Sequence, residues 1–342
     1  MTGALSETDV ETERQDELAP EEIASALDYL LSHKMVFGQD FLRSHGLPFS
    51  GTKEKLRQRL EEYLAQGRLT ASDLVRLLDQ IEGWGDQHIY LYKADGQTIE
   101  PWLTEDSARD LLRRLGLDGQ FGRRRPLVLP EGRTLASIEW TPQRVRFVWV
   151  EKQQWEERAA EQDIVDGAMV WRAYRVSITR GLMAFDWDLV SGHAMLMIRR
   201  LPHGASYDTI RDQLEAVLEP LVSLSRFERL RVSRAIQEIE ESDQVRRRQV
   251  AYHTLLGGTA AFTSADRSID TFADPDLKRA GGAIRSRKAG LLGNFYWLPV
   301  DGLLSCELHS KLYGSDQRIG IFGEHKEEDV RYVISCVRRH CR

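Results

Sequence analysis

The chain has 342 residues, 42% of them hydrophobic and 29% charged, an ordinary globular composition with room for two or three domains. No apolar run approaches the ~18 residues that span a bilayer, and the N-terminus lacks the basic-then-apolar order of a secretory signal. The net charge of −6 alone disfavours a nucleic-acid partner, but residues 1–33 hold nine acidic side chains against Arg14, so the remainder carries +2.

Residues 1–18 are acidic and almost free of apolar side chains, the composition of a disordered leader. From Glu21 to His33, Ile23, Ala26, Leu27, Leu30 and Leu31 recur at helical spacing. Helices follow from Gly38 to His45, from Thr52 to Gln66 and from Ser72 to Ile81, the last with Thr70 and Asp73 placed as a capping box. Gly83 and Gly85 end this helical domain, which spans 19–83.

Beyond that boundary the period changes. Ile89–Tyr92 reads as a strand, Glu105–Leu115 as a helix, and Gly119–Pro130 as a connector that holds Arg123, Arg124 and Arg125. Strands are expected at Leu135–Trp140, Arg144–Val150, Met169–Thr179, Leu182–Leu189 and Ala194–Arg200, with turns at Arg180–Gly181 and Ser191–Gly192. A helix runs from Tyr207 towards Pro220, and a long charged helix from Ser225 to Leu255 carries Arg246, Arg247 and Arg248. Residues 84–256 thus read as an α+β domain with an antiparallel sheet. Residues 257–290 are Gly-rich and expected to loop; strands at Phe295–Leu298, Leu303–Leu308 and Arg318–Phe322 and a helix at Lys326–His340 follow. Residues 257–342 therefore read as an α/β segment packed on the body. The expected class is α+β, a small all-helical head before a mixed, mainly antiparallel sheet body with long helices.

One segment carries a linked pattern. Leu42, Gly46, Leu47, Pro48, Ser50, Gly51, Lys53, Leu56, Arg59 and Leu60 stand in the order leucine-bearing helix, Gly-Leu-Pro turn, Ser-Gly-x-Lys, then Leu-x-x-Arg-Leu. Residues 37–66 resemble the SAP family of helix–loop–helix modules, and the resemblance implies DNA binding, often to AT-rich or structurally distinctive DNA. Elementary chemistry points the same way. Gly46 suits a left-handed helix end, Pro48 directs the loop, and Ser50 or Thr52 can cap the next helix. The helix start at Ser50, Gly51, Thr52 and Lys53 offers free amides to a phosphate. Arg43, Lys55, Arg57 and Arg59 flank it, within a stretch, 34–68, that holds seven Lys or Arg against four acids. Arg285, Arg287 and Lys288, in the Gly-rich segment, are the best candidates for further phosphate contacts.

Other chemistries are less well supported. Cys306 and His309, and Cys336 with His340 and Cys341, lack the paired spacing of a zinc finger. Three cysteines near the C-terminus, odd in number, suit a reducing compartment. Asp301, Glu307 and Lys311 resemble part of the acid–acid–lysine set of metal-dependent nucleases, but His309 stands where that family's lysine is required. The expectation is a cytoplasmic, nucleoid-associated, non-enzymatic binder of double-stranded DNA without a cofactor or membrane contact. The body would add DNA contacts, form a homo-oligomer or recruit a protein partner. The alternatives are a nuclease-like DNA-processing or defence enzyme that uses the head for targeting, and a protein-docking adaptor.

Overall fold

The computed structural model describes residues 19–122, 130–159, 164–166, 169–201, 205–254, 257–285 and 290–341. The acidic leader, Arg123–Arg125, Arg287 and Lys288 lie outside these residues, as does the side chain of Arg285. The chain divides into two compact units. One is Met1–Trp84 with Glu324–Glu327; the other is Gly85–Gly323 with Glu328–Arg342.

Among its described residues the first unit holds four helices, α1 (Pro20–Ser32), α2 (Met35–Ser44), α3 (Lys53–Ala65) and α4 (Ala71–Glu82). Their starts obey local rules. The Glu22 carboxylate accepts from the Ala19 amide, and Thr70 and Asp73 cap α4 reciprocally. Leucines at helical spacing then meet in one core: Leu27, Leu30, Leu42, Leu56, Leu60 and Leu78 are all buried.

In the second unit, the strands are β1 (Gly85–Lys93), β2 (Thr134–Thr141), β3 (Arg144–Arg158), β4 (Ile164–Asp166), β5 (Met169–Trp171), β6 (Tyr174–Asp188) and β7 (His193–Arg199). They continue with β8 (Glu228–Arg229), β9 (Val245–His253), β10 (Thr259–Thr263), β11 (Gly290–Trp297), β12 (Leu308–Tyr313) and β13 (Arg318–Glu324). The helices are α5 (Gly96–Ile99), α6 (Glu105–Arg114), α7 (Tyr207–Val222), α8 (Val232–Glu241), α9 (Pro275–Arg285) and α10 (Glu327–Arg339).

One sheet orders the strands β10-β9-β11-β12-β13-β1-β7-β6-β3-β2, with β8 added beside β1. The β2–β3, β3–β6, β6–β7, β7–β1 and β11–β12 pairings are antiparallel, and the class is α+β. Strand alternation sends Val145, Phe147 and Trp149 of β3 and Phe185 and Trp187 of β6 to one face. There they meet Trp102, Leu112 of α6 and Leu214 and Leu218 of α7 in a fully buried core. The opposite face of β3 and β6 buries charge: the Asp186 carboxylate accepts from Arg144 and Arg331, with Arg146 3.9 Å away.

Three expectations are corrected. The long charged helix from Ser225 to Leu255 is instead β8, then the ten-residue α8, a turn at Asp243–Gln244, and β9. Val245–His253 is flanked by β10 and β11, and burying Val250, Ala251 and Tyr252 between them outweighs the helix propensity of the arginine run. Arg180–Gly181 is no turn, since both lie inside β6; Gly181 is there because a Cβ would sit 2.6 Å from the Gln153 amide across the ladder. The stretch 257–290 is not simply a loop, because it holds β10 and α9.

Candidate nucleic-acid interface

The α2–α3 hairpin is set by its connection. At the end of α2, Gly46 (φ +66°) donates to the Arg43 carbonyl at 3.0 Å and Leu47 to the Leu42 carbonyl at 2.8 Å. That pair of bonds satisfies the orphaned helix carbonyls and needs a left-handed residue at Gly46. Leu47 is buried, so the turn is fastened to the core. Phe49 lies under the Arg43 guanidinium, 4.2 Å from it, and Arg43 also pairs with Asp40 at 2.5 Å. Gly51 has φ +141° and would place a Cβ 3.2 Å from Lys55, so the loop at this point admits little else. The Thr52 hydroxyl then accepts from the Lys55 amide and starts α3.

The basic residues of this hairpin divide into two sets. Arg57 donates to Asp28 of α1 and to Glu61 at 2.9 Å, so it ties α3 to α1. Arg59 donates to the Ser50 carbonyl and braces the loop that precedes its own helix. Arg43 is held as described. Lys53 and Lys55 are exposed, and among the described residues neither ammonium forms an ion pair or hydrogen bond. The amides of Lys53 and Glu54 have no intrahelical carbonyl to bond, by helix geometry. Ser50, Gly51 and Thr52 are all exposed beside them. The expected phosphate-site residues 50–55 are therefore all exposed at one corner; Arg59 braces its loop and Arg43 packs on Phe49 before it, while Arg57 is tied to α1 instead.

A carboxylate already stands in that corner. Glu54 is held below the ordinary carboxylate range by its own backbone amide first, then by the Thr52 hydroxyl and Lys53. The sequence reading missed this competition. Its signal is an acid at the second helical position, which favours the positive end of the dipole.

Behind the hairpin, the His33 ring nitrogen lies 2.6 Å from the Glu324 carboxylate, which also accepts from the Lys34 amide at 2.8 Å. Burial pushes the Glu324 carboxyl up. The His33 bond and the Lys34 amide together outweigh it and leave the group below its usual range. Lys326 adds an ion pair to Asp40 at 3.1 Å. Residues 324–327 thus fasten α1 and α2 from a point some 290 positions away in sequence.

The other basic runs are largely occupied within the body. Arg246 pairs with Glu307 at 2.5 Å and Arg247 with Asp270 at 2.9 Å, while Arg144 is spent on Asp186. Arg285 closes α9. Asp301, Glu307 and Lys311 are not joined by any hydrogen bond or ion pair among the described residues; Lys311 lies over the Tyr313 ring. His309 is stacked between Tyr296 and Phe322 and bonded to Asn294 at 2.7 Å. Burial pushes the Cys341 thiol up to about 12.

Residues 39–65 match the family model of the SAP domain, and the remainder of the chain has no recognised family. No curated protein matches the chain.

Proposed function

We propose that this protein binds double-stranded DNA without cleaving it, and that the start of α3 grips the phosphate backbone. The single observation that carries the reading is the coincidence of a SAP-domain match with an open corner at residues 50–55. There two exposed lysines stand beside the exposed start of α3, where only the Glu54 carboxylate competes for the helix amides among the described residues. Such a corner recognises anionic oxygens and offers few groups for base edges, so binding is salt-sensitive and weakly sequence-specific. The body's share, whether further phosphate contacts or recruitment of a partner, rests on Arg285, Arg287 and Lys288 and on the self-association argued below.

Amide hydrogen exchange of the full chain, with and without a random-sequence duplex, tests the placement. Slowed exchange centred on residues 50–56 is expected. Protection confined to the sheet unit would contradict it.

A further inference from the structure

The β3–β6 hairpin outruns its neighbours. β2 pairs with β3 only as far as Val150, and β7 pairs with β6 only from Met183. Among the described strands, Glu151–Arg158 and Tyr174–Gly181 therefore continue as a two-stranded ribbon, eight residue pairs long. At ~3.4 Å per residue this ribbon is roughly 27 Å long, and its base is packed: Gln153 and Arg180 are buried and the Lys152 amide donates to the Pro130 carbonyl at 3.0 Å. Its stem is polar, with Lys152 paired to Glu131 and Glu151 to Arg133.

The far end is not polar. β4 pairs with β5, opposing Ile164 to Trp171 and Val165 to Val170. Ile164, Val165, Met169, Val170 and Trp171 are 65, 70, 58, 55 and 60% exposed, and Tyr174 and Val176 just below them are 55 and 54% exposed. Alternation puts Ile164 and Trp171 on one face of the tip and Val165 and Val170 on the other, so neither face is a buried one. These seven side chains together expose on the order of 800 Å², divided between the two faces of the tip, against roughly 300–600 Å² for the largest apolar patch of a typical monomer. A two-stranded ribbon is marginal in water on its own, and an apolar one adds an aggregation hazard.

The same unit carries a receptor of matching character. Leu115, Leu117, Leu135, Trp149, Val217 and Leu221 line an open groove of about 540 Å³. Arg133 and Gln213, hydrogen-bonded at 3.0 Å, border it. That volume falls in the ~300–1,000 Å³ range of sites that bury compact apolar groups, enough for an indole and a neighbouring aliphatic side chain. The groove is out of reach of its own tip. Trp149 lines it, and β3 runs straight on from Trp149 to Arg158, about 30 Å away at the strand rise.

We propose that the arm is a self-association element whose tip enters the apolar groove of a second copy of this chain. Every copy bears both a tip and a groove, so two reciprocal contacts about a twofold axis close the assembly and leave neither exposed. Were the whole tip covered, by the groove and by the partner surface around it, its ~800 Å² would match the contribution of each partner to a standard stable interface. The inference is independent of DNA binding.

Sedimentation of the full-length chain over a range of concentrations tests it with two variants. Val170→Ser with Trp171→Ser removes the apolar tip; Val217→Glu charges the groove at a position 47% exposed, where folding tolerates it. The wild type is expected to dimerise, and each variant to weaken dimerisation by about 30-fold or more, as loss of a buried aromatic anchor does. Mixed, the variants are expected to associate more strongly than either alone, because the intact arm of one meets the intact groove of the other. A wild type that stays monomeric, including one that instead pellets with lipid vesicles, would overturn the proposal. So would an arm variant or a groove variant that dimerises as the wild type does, or a mixture no more associated than its components.

Discussion

At residue scale, the separation of bracing from gripping among like-charged side chains is what the structure adds. Arg57 and Arg59 lie on the same helix as Lys53 and Lys55, and the sequence gives all four equal claim to a phosphate. Their partners decide otherwise, since Asp28, Glu61 and the Ser50 carbonyl hold the two arginines. Only the Arg57–Glu61 spacing was readable, as a pair four apart on a helix; Asp28 is 29 positions away. Glu54 gives this distinction a direct consequence. Its carboxylate competes for its own amide and for the Thr52 hydroxyl, which a phosphate would use, and its pKa is lowered accordingly. Glu54→Gln is therefore expected to raise duplex affinity severalfold at low salt while lowering the melting temperature slightly, since its depressed pKa marks a stabilising contact at the start of α3, read by fluorescence anisotropy and calorimetry. An affinity that falls would show that Glu54 supports the site rather than competing for it.

At the scale of elements, legibility follows the range of the forces. The α2–α3 hairpin was readable because its caps, its left-handed Gly46 and its leucine spacing are all satisfied within about ten residues. β9 was not, because nothing local makes Val245–His253 a strand; β10 and β11 do, and they lie beyond it in the chain. Gly181 was misread for the same reason, as its small size answers to Gln153 across the ladder rather than to a turn. The clasp on α1 and α2 is equally remote. Glu324 has its folded pKa depressed, so its contribution to stability is present above the unfolded value of about 4.3 and is lost as pH falls through the folded one. Glu324→Gln is thus expected to cost on the order of 1 kcal/mol at neutral pH in urea denaturation. The gap between variant and wild type should narrow as pH falls below the unfolded value of about 4.3 and close once it is below the depressed folded one. A gap that persists unchanged in acid would assign the loss to packing instead of charge.

At the scale of the whole molecule, charge is partitioned along the chain. The total of −6 conceals residues 1–33 at −8 and a hairpin region, 34–68, with three more basic than acidic side chains. A net acidic protein can still present a basic corner, which is why the total misleads and the distribution informs. The central claim is that this corner, centred on Lys53 and Lys55, grips duplex phosphates. Its most direct test is the dependence of duplex affinity on salt, for the full chain and for Lys53→Glu with Lys55→Glu. Arg59 is left intact in this test because its loss would also release the loop at Ser50. The account predicts a variant with sharply weaker binding and a log–log salt slope shallower by about 1.8, two phosphate contacts fewer. A variant whose affinity and slope equal those of the wild type would contradict it.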